Sequence, residues 1–445
     1  MRRLLGDYGM VLVLLVLCIL FSVMTLRERR ATGSTAVREV ADSVTALLKP
    51  AELVVVVASS RPEAAEMSSA LSRELKSRSF DRVIVVSGNA RDLRSVLDGL
   101  RDKGAKPGAL AVLGEAEDWL VWEKLPELYP AFKDVPQVKP VTRMKSDFLT
   151  ITNLLAIVSR IVVIAIIAIG MTMVIVTGGI DLSVGSLIAL SGVVSTLAVY
   201  RMGAYDAPIW SVPVGFAAGI ATCAVLGALT GGVIARFKVP PFITTLALMM
   251  AARGLAREIS GDTSIHRLPD ALRWLAQGRT GGLPNTVILL VLLYVAAHIF
   301  MTRTRLGRYI YAVGGNEEAA RLSGVSVGRV IVFVYVVSAV MAGIGGVIQA
   351  SQIKAGDPNV GKMDELYVIA AVVVGGTSLS GGSGKILGTL IGAFIISVIQ
   401  NGMNLLGMKD ARQMIVLGLV ILGGVLLDRL RGASARTLLA RKKTE

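Results

Sequence analysis

The stretch Gly178-Gly179-Ile180-Asp181-Leu182-Ser183-Val184-Gly185 joins two apolar runs, 161–176 and 187–199, that are long enough for membrane spans. A carboxylate there is costly unless it faces water, a partner or a substrate path. Paired glycines let the backbone leave a helix, which membrane proteins tolerate only where the backbone is buried in protein or lines a cavity. The stretch therefore predicts a deliberately broken helix, the device from which transporters build binding sites.

The composition predicts a membrane protein. Of the 445 residues, 53% are hydrophobic and 18% are charged, and the mean hydropathy is +0.65. Ordinary soluble domains of this length could not bury so much apolar surface. The formal net charge of +15 could indicate nucleic-acid binding. However, no soluble basic domain with interleaved aromatic residues is present, and Lys and Arg collect beside spans on the cytoplasmic side.

The apolar runs predict an all-α polytopic membrane protein with about ten transmembrane helices, some of them broken or re-entrant. The first span lies within residues 1–26, and we favour an uncleaved span over a signal peptide. Nine further spans are predicted near 152–176, 184–200, 211–235, 241–260, 284–302, 329–351, 365–379, 386–406 and 411–428. An even number places both termini on one side, and the basic tail at 431–445 predicts that this side is the cytoplasm.

Residues 27–145 differ from the rest, because they carry both signs of charge and contain no span. Short β-branched runs predict strands, and stretches with apolar residues at i, i+3 and i+4 predict helices. The strands are expected at Leu53–Ala58, Val83–Val86 and Ala109–Leu113, and the helices at Pro62–Arg78 and Ala90–Lys103. This alternation predicts a small inserted α/β domain with a mainly parallel sheet, which the topology places on the extracytoplasmic side of the membrane.

The stretch at 178–185 has an echo at Gly375–Gly382, with five of eight positions identical. Glycine-interrupted segments in two halves of a transporter point to a site at mid-membrane, although chance similarity of glycine-rich sequence is an alternative. Amides near span ends suit a neutral polyhydroxylated ligand, but they could equally join helices. The predicted pathway residues are Gly178, Gly179, Asp181, Ser183, Gly185, Gly375, Gly376, Ser378, Ser380, Gln349, Asn401 and Asn404.

No catalytic or metal site is predicted. Gly381–Lys385 resembles part of a phosphate loop, but it lacks the first glycine, and Ile386 replaces the required Ser or Thr. The cysteines and histidines, Cys18, Cys223, His266 and His298, are isolated from one another. We therefore expect no catalytic residues, no metal and no cofactor, and the chain has no ATP-driven motor of its own.

A loop on the predicted cytoplasmic side carries a short helix signal. Asn316 can cap it, Glu317 and Glu318 suit its first turn, and Gly324 can end it. Such a helix is a good docking element for another protein, and an ordinary amphipathic connector is the alternative.

Three motifs resemble those of the permease subunits of bacterial ABC importers for ribose, xylose and related sugars. They are Gly170–Ser186, Arg305–Gly324 with Tyr311-Ala312-Val313-Gly314-Gly315-Asn316, and Glu365–Gly407. The resemblance covers a permease core at 146–430 together with the first span.

The resemblance implies a permease subunit in the bacterial cytoplasmic (inner) membrane that translocates a ribose- or xylose-like sugar by alternating access. It implies three partners: a second permease copy or sister permease, two cytoplasmic ATPase subunits that hydrolyse ATP, and an extracytoplasmic sugar-binding protein. The chain itself is then not an enzyme. The resemblance also implies an ATPase coupling helix formed by Asn316, Glu317, Glu318, Ala319, Ala320, Arg321, Leu322 and Ser323.

The sequence leaves several alternatives open. Because specificity in such importers rests largely with the binding protein, the solute could be a nucleoside, an autoinducer or a branched-chain amino acid. An ion-coupled carrier is disfavoured, since Asp181 is nearly alone as an intramembrane acid, and a receptor is disfavoured by the lack of a signalling domain. The insert at 27–145 departs from the family pattern, and tethering or gating the binding protein is a hypothesis for its role.

Overall fold

The computed structural model describes residues 2–423 and 426, with side chains from residue 9 onward. The chain forms two compact units: the core, Met1–Thr25 with Asp147–Glu445, and the insert, Leu26–Ser146. The tail predicted at 431–445 lies outside the described residues.

The described chain is mostly helical. Its helices are α1 Arg2–Met24, α2 Gly33–Leu47, α3 Pro62–Ser77, α4 Ala90–Asp102, α5 Val121–Leu128, α6 Ile151–Val176, α7 Val184–Arg201, α8 Ser211–Phe237, α9 Pro241–Ser260, α10 Trp274–Gln277, α11 Asn285–Arg303, α12 Arg305–Gly315, α13 Glu317–Leu322, α14 Val327–Ile353, α15 Asp364–Val374 and α16 Ile386–Leu405. Its strands are β1 Leu26–Arg30, β2 Val54–Ser59, β3 Val83–Gly88, β4 Ala109–Leu113, β5 Gln137–Val138, β6 Thr142–Ser146, β7 Arg279–Thr280 and β8 Leu283–Pro284. Residues 410–423 are also helical.

Six of the ten predicted spans are helices that are long and apolar enough to cross a membrane: α6, α7, α8, α11, α14 and α16. Within the residues that the structure describes, the other four are shorter or more polar. The apolar part of α1 is Gly9–Met24, α9 contains Arg253 and Arg257, α15 has 11 residues, and the last is the helix at 410–423. The predicted interruption of the span at 365–379 is confirmed, because α15 ends at Val374 and a non-helical segment follows.

Helix α6 forms the centre of the core. Every residue from Ile161 to Val176 is buried, and α14, α15 and α16 pack around it. Burial on all sides explains why this segment is apolar around its whole circumference rather than along one stripe. Its two ends therefore mark the two ends of the core. Gly178 and α13 lie towards one end, which we call the α13 end, and the start of α6 lies at the other.

The insert confirms the predicted α/β architecture. Strands β3, β2, β4 and β5 lie side by side in that order, and all of them are parallel. Alternate residues of β2 enter two different apolar layers: Val54 and Val56 pack with α2 and α3, whereas Val55 and Val57 pack with α4 and α5. Helix α2 and the antiparallel pair β1–β6, which closes the unit, are additions that the sequence analysis did not predict.

Candidate functional site

The two glycine-rich breaks come together in the folded core. The backbone N–H of Gly382 donates to the carbonyl oxygen of Val176 at 2.8 Å, which joins the segment after α15 to the end of α6. Gly178, Gly376 and Gly381 all have φ near +80°, a conformation that residues with a side chain rarely adopt. The glycines at these three positions therefore let the segments after α6 and α15 leave the helical conformation and meet.

A third glycine-rich segment, the end of α12, completes this contact. A Cβ atom on Gly314 would overlap with the Val176 carbonyl oxygen and would lie 2.7 Å from the Gly382 nitrogen. The Tyr311 hydroxyl donates to the carbonyl oxygen of Gly384 at 2.8 Å. Backbone thus packs directly on backbone, and we call this contact of the segments 176–178, 314–315 and 381–384 the glycine junction.

Asp181 lies deeper in the core and is fully hydrogen-bonded. Its side chain is 2% exposed, and its carboxylate accepts from the Ser183 N–H at 3.0 Å, the Ser183 hydroxyl at 2.6 Å and the Ser338 hydroxyl at 2.7 Å. Ser338 stands near the middle of α14, so the carboxylate lies near half-depth. Its bonds tie the broken segment to α14, and its burial means that it does not face a water-filled path in this conformation.

Beyond Asp181, the start of α7 is held by Arg253 of α9, a residue that the sequence analysis missed. The guanidinium donates to the carbonyl oxygens of Pro358 at 2.9 Å, Val360 at 2.6 Å and Gly185 at 3.2 Å. A Cβ atom on Gly185 would overlap with the Glu365 carboxylate. Arg253 therefore fastens the loop before α15 to the second half of the break. A charged residue inside a predicted apolar span was the signal that could have revealed it.

The other predicted residues of the two breaks either permit close packing against neighbouring segments or form a local hydrogen bond near the surface. A Cβ atom on Gly375 would lie 2.7 Å from the Gly388 oxygen, and one on Gly179 would lie 2.5 Å from the Tyr335 hydroxyl, so both glycines permit close packing. Ser378 accepts from the N–H of Ser380, which is itself exposed.

The predicted amides lie elsewhere, towards the end of the core opposite α13. Gln349 and Asn404 line an open cavity of about 730 Å³ between α6, α14, α15 and α16. Asn401 does not line it, because its side-chain amide exchanges two hydrogen bonds with that of Asn153, at 3.0 and 2.8 Å. Of the predicted pathway residues, the structure thus places Gln349 and Asn404 at a polar cavity, whereas Asn401 pairs with Asn153 and the others belong to the two glycine-rich breaks.

The predicted short helix is present as α13. The side chain of Asn316 accepts from the Ala319 N–H at 2.9 Å, which is the expected cap. Ala320 is buried against the core, whereas Leu322 is 81% exposed. The Arg321 guanidinium lies 2.5 Å from the Glu318 carboxylate, and this pairing lowers the pKa of Glu318. An exposed leucine beside charged side chains is a suitable surface for binding another protein.

Comparison with known proteins identifies relatives of the core. Residues 153–425 match the family described as branched-chain amino acid transport system / permease component. The ribose import permease protein of Escherichia coli (strain K12) is 43% identical over 293 residues, which are 65% of this chain and 89% of that protein. The corresponding protein of Bacillus subtilis is 41% identical over 295 residues, or 66% and 89% of the two chains. The L-arabinose transport system permease protein of E. coli is 36% identical over 292 residues, or 66% and 87%. No solved structure matches the chain.

Proposed function

The chain belongs to the permease-component family of branched-chain amino acid transport systems, and from this premise we propose that it is the membrane-spanning permease of a sugar ABC importer. Its solute would be ribose or a similar monosaccharide, since the relatives compared above are named as ribose and arabinose permeases. ATP hydrolysis would take place on separate ATPase subunits, and an extracytoplasmic binding protein would deliver the sugar.

The observation that carries the proposal is the glycine junction beside α12 and α13, at the opposite end of the core from an open polar cavity. Alternating access requires a path that is closed at one end while it is open at the other. Here the junction closes the α13 end by backbone contacts such as that of Gly382 with Val176. With α13 in the cytoplasm, this arrangement would be that of an outward-facing state.

We further propose that α13 is the coupling helix. Its exposed Leu322 and charged first turn would fit a cleft on the ATPase, and its buried Ala320 would transmit motion to the core. α13 is joined through Asn316 to α12, which contributes Gly314 to the junction. A shift of α13 would therefore move one of the three segments that close the path. ATP must bind the two states with different affinity for this to drive transport.

The test is co-purification of an ATPase subunit from the native cells with the detergent-solubilised protein. The variant Glu317→Arg with Glu318→Arg reverses the charge of the first turn of α13. The control Glu63→Arg with Glu66→Arg changes two exposed glutamates in the first turns of α3 in the insert. We expect the ATPase to accompany the wild type and the control but not the α13 variant. If no ATPase accompanies the wild type under mild conditions, an ion-coupled carrier becomes the better hypothesis.

The family description favours a second candidate, an importer of branched-chain amino acids. Nucleoside and autoinducer importers fall in the same class. These alternatives share the glycine junction and α13, so the ATPase test does not separate them, and the chemistry of the polar cavity has to do so.

A further inference from the structure

An open groove lies between α8 and α14 at the α13 end of the core. It is formed by the end of α8 and the beginning of α14, which are both candidate membrane spans. Its volume of about 700 Å³ lies within the range of small-molecule sites. Apart from Arg236 and Arg329, its lining consists of glycine, alanine, valine and phenylalanine. The groove therefore offers an apolar surface and two cations to the same ligand.

Glycines determine where this groove opens. A Cβ atom on Gly231 would lie 2.7 Å from the Val332 Cα atom, so α8 and α14 are in close contact at that position. A Cβ atom on the adjacent Gly232 would have no neighbour within 4 Å, and one on Gly328 would meet only the Ala235 Cβ atom, at 3.6 Å. The lack of a side chain on Gly232 thus leaves the groove empty beside a tight helix contact.

The two arginines of the groove come from different helices and are both exposed. Among the carboxylates of the described residues, none lies within 4 Å of either guanidinium. Arg329 donates to the Ser326 hydroxyl at 2.7 Å, and the Arg236 guanidinium lies 5.9 Å from the centre of the Phe237 ring. Both arginines therefore keep donors for a further partner, and the planar guanidinium fits the oxygen atoms of a phosphate.

The helix end adds to this positive charge. Ser326, which precedes α14, makes no side-chain hydrogen bond to the first turn. Gly328 and Arg329 of this turn line the groove, so the positive end of the α14 dipole lies beside the arginines. No Asp or Glu is among the lining residues. The charge of the groove thus favours an anionic ligand.

The surroundings of the groove favour a membrane lipid as this ligand. Only 28% of the apolar stretch of α8 is buried within the folded chain, the smallest share among the six candidate spans of the described residues. Val225 and Leu229 of α8 are 59% and 61% exposed, and their helical spacing places them on the same face as Gly232 and Arg236. An acyl chain in the groove would continue along this face, while its phosphate lies at the height of the arginines.

We propose that the groove between α8 and α14 binds a phospholipid with an anionic headgroup. Arg236 and Arg329 would hold the phosphate, and one acyl chain would lie over Gly232. Basic pockets between membrane helices are suited to anionic headgroups, because each cation near the headgroup contributes to binding. The inference requires only that the core spans a membrane, and it is independent of the transported solute. The chain's own segment 431–445 is mainly basic, so its charge does not complement the groove.

The experiment is native mass spectrometry of the full-length protein after removal of its lipids in detergent. Phosphatidylglycerol and phosphatidylcholine with identical acyl chains are titrated separately, since they differ in the net charge of the headgroup. The variant Arg236→Gln with Arg329→Gln removes both cations. The variant Gly232→Leu fills the groove with a side chain that meets no protein atom nearby.

Each variant has a matched control. Arg303→Gln with Arg308→Gln removes two exposed arginines of α11 and α12, outside the groove. Gly254→Leu adds the same side chain to an exposed glycine of α9, where a Cβ atom would also have no neighbour within 4 Å. Melting temperatures without added lipid show whether each variant is folded.

The proposal predicts that phosphatidylglycerol binds at least about tenfold more tightly than phosphatidylcholine, and that both groove variants lose at least about tenfold in affinity for it. The two controls should bind it like the wild type. Equal binding of the two lipids, wild-type affinity in the groove variants, or an equal loss in the controls would each overturn the proposal. A groove variant that changes from dimer to monomer at unchanged lipid affinity would assign the groove to a second copy of the chain instead.

Discussion

At the scale of single residues, Glu117 of the insert shows how burial and pairing oppose each other. The residue is 5% exposed, and its Oε2 atom lies 3.0 Å from the Arg30 Nε atom. Burial disfavours the charged form and raises the pKa of Glu117 from 4.5 to about 7, although Arg30 and Lys139 act in the opposite direction. At pH values between these two pKa values, the folded insert therefore keeps Glu117 protonated, whereas the unfolded chain has released this proton.

This proton makes the stability of the insert depend on pH. A carboxyl group whose folded pKa is raised stabilises the fold below its unfolded pKa, and the contribution disappears as pH rises through the folded value. Between pH 5 and pH 8 we expect the free energy of unfolding to fall by about 1–3 kcal/mol, less than the full shift because part of the titration of the unfolded carboxyl group lies below pH 5. The chain's two histidines, His266 and His298, lie outside the insert.

The measurement is urea unfolding of the isolated segment 26–146 at several pH values. Glu117→Gln should remove most of the slope, because an amide does not titrate. Glu115→Gln is the matched control, since this glutamate also pairs with an arginine, Arg61, but is exposed rather than buried. A slope that persists in Glu117→Gln would assign the pH dependence to another group.

At the residue scale, the sequence singled out residues that are out of place in their surroundings, but it did not show their contacts. Asp181 stood between two apolar runs, and the structure makes it the centre of a buried hydrogen-bond network. Arg253 was equally out of place but lay in a stretch taken as an ordinary span. Asn401 could not be separated from Asn404 by sequence, because only the folded core shows that Asn401 faces Asn153 and Asn404 faces the cavity.

At the scale of elements, the glycine junction depends on how closely three segments approach. Gly314 and Gly315 are neighbours at the end of α12, yet their surroundings differ. A Cβ atom on Gly314 would overlap with the Val176 carbonyl oxygen, whereas one on Gly315 would have no neighbour within 4 Å. The pair therefore offers a substitution and its control one residue apart.

We expect Gly314→Ala to separate α12 from the end of α6 and to lower the free energy of unfolding by about 1–3 kcal/mol, because backbone would have to move. Gly315→Ala should change it by less than about 0.5 kcal/mol, as for an exposed substitution. Thermal unfolding of the detergent-solubilised protein measures both, and sugar uptake should fall only in Gly314→Ala. Equal effects of the two substitutions would show that backbone contact does not determine the stability of the junction.

Elements were predictable where their pattern was periodic and long. The strands β2, β3 and β4 and the helices α6, α8 and α14 follow directly from such patterns. The meeting of the two breaks was not derivable, since it depends on contacts between residues about 200 positions apart, as between Val176 and Gly382. Helix α2 was missed because its apolar residues are mostly alanine and valine, which gave only a weak periodic signal.

At the scale of the whole molecule, the chain leaves the core at Thr25 to form the insert and returns to the core at Asp147. The Asp147 N–H donates to the Thr25 carbonyl oxygen at 3.2 Å, and the Phe148 N–H donates to the Thr25 hydroxyl at the same distance. The rings of Phe21 and Phe148 lie 6.2 Å apart. The core therefore holds the two ends together through its own contacts, so that a turn of a few residues could connect them.

Replacing residues 26–146 with a short Gly-Asn-Gly linker should leave the core folded. All hydrogen bonds at Thr25 that hold Asp147 and Phe148 remain, and a loop of two to five residues suffices between elements so close together. We expect the melting temperature of the core transition and the co-purification of the ATPase to be unchanged. The variant Thr25→Val removes the hydroxyl contact with Phe148. It tests whether the contacts at Thr25 stabilise the core.

With the core intact, sugar uptake reports on the insert alone. If the insert tethers or gates the binding protein, its removal should raise the KM for uptake and weaken the binding protein's affinity for the membrane complex. Maximal uptake should change little, because α13 and the glycine junction are untouched. Unchanged KM and unchanged affinity would remove this role. Loss of the ATPase or of the core transition would instead show that the insert is required for the core to fold, contrary to the contacts at Thr25.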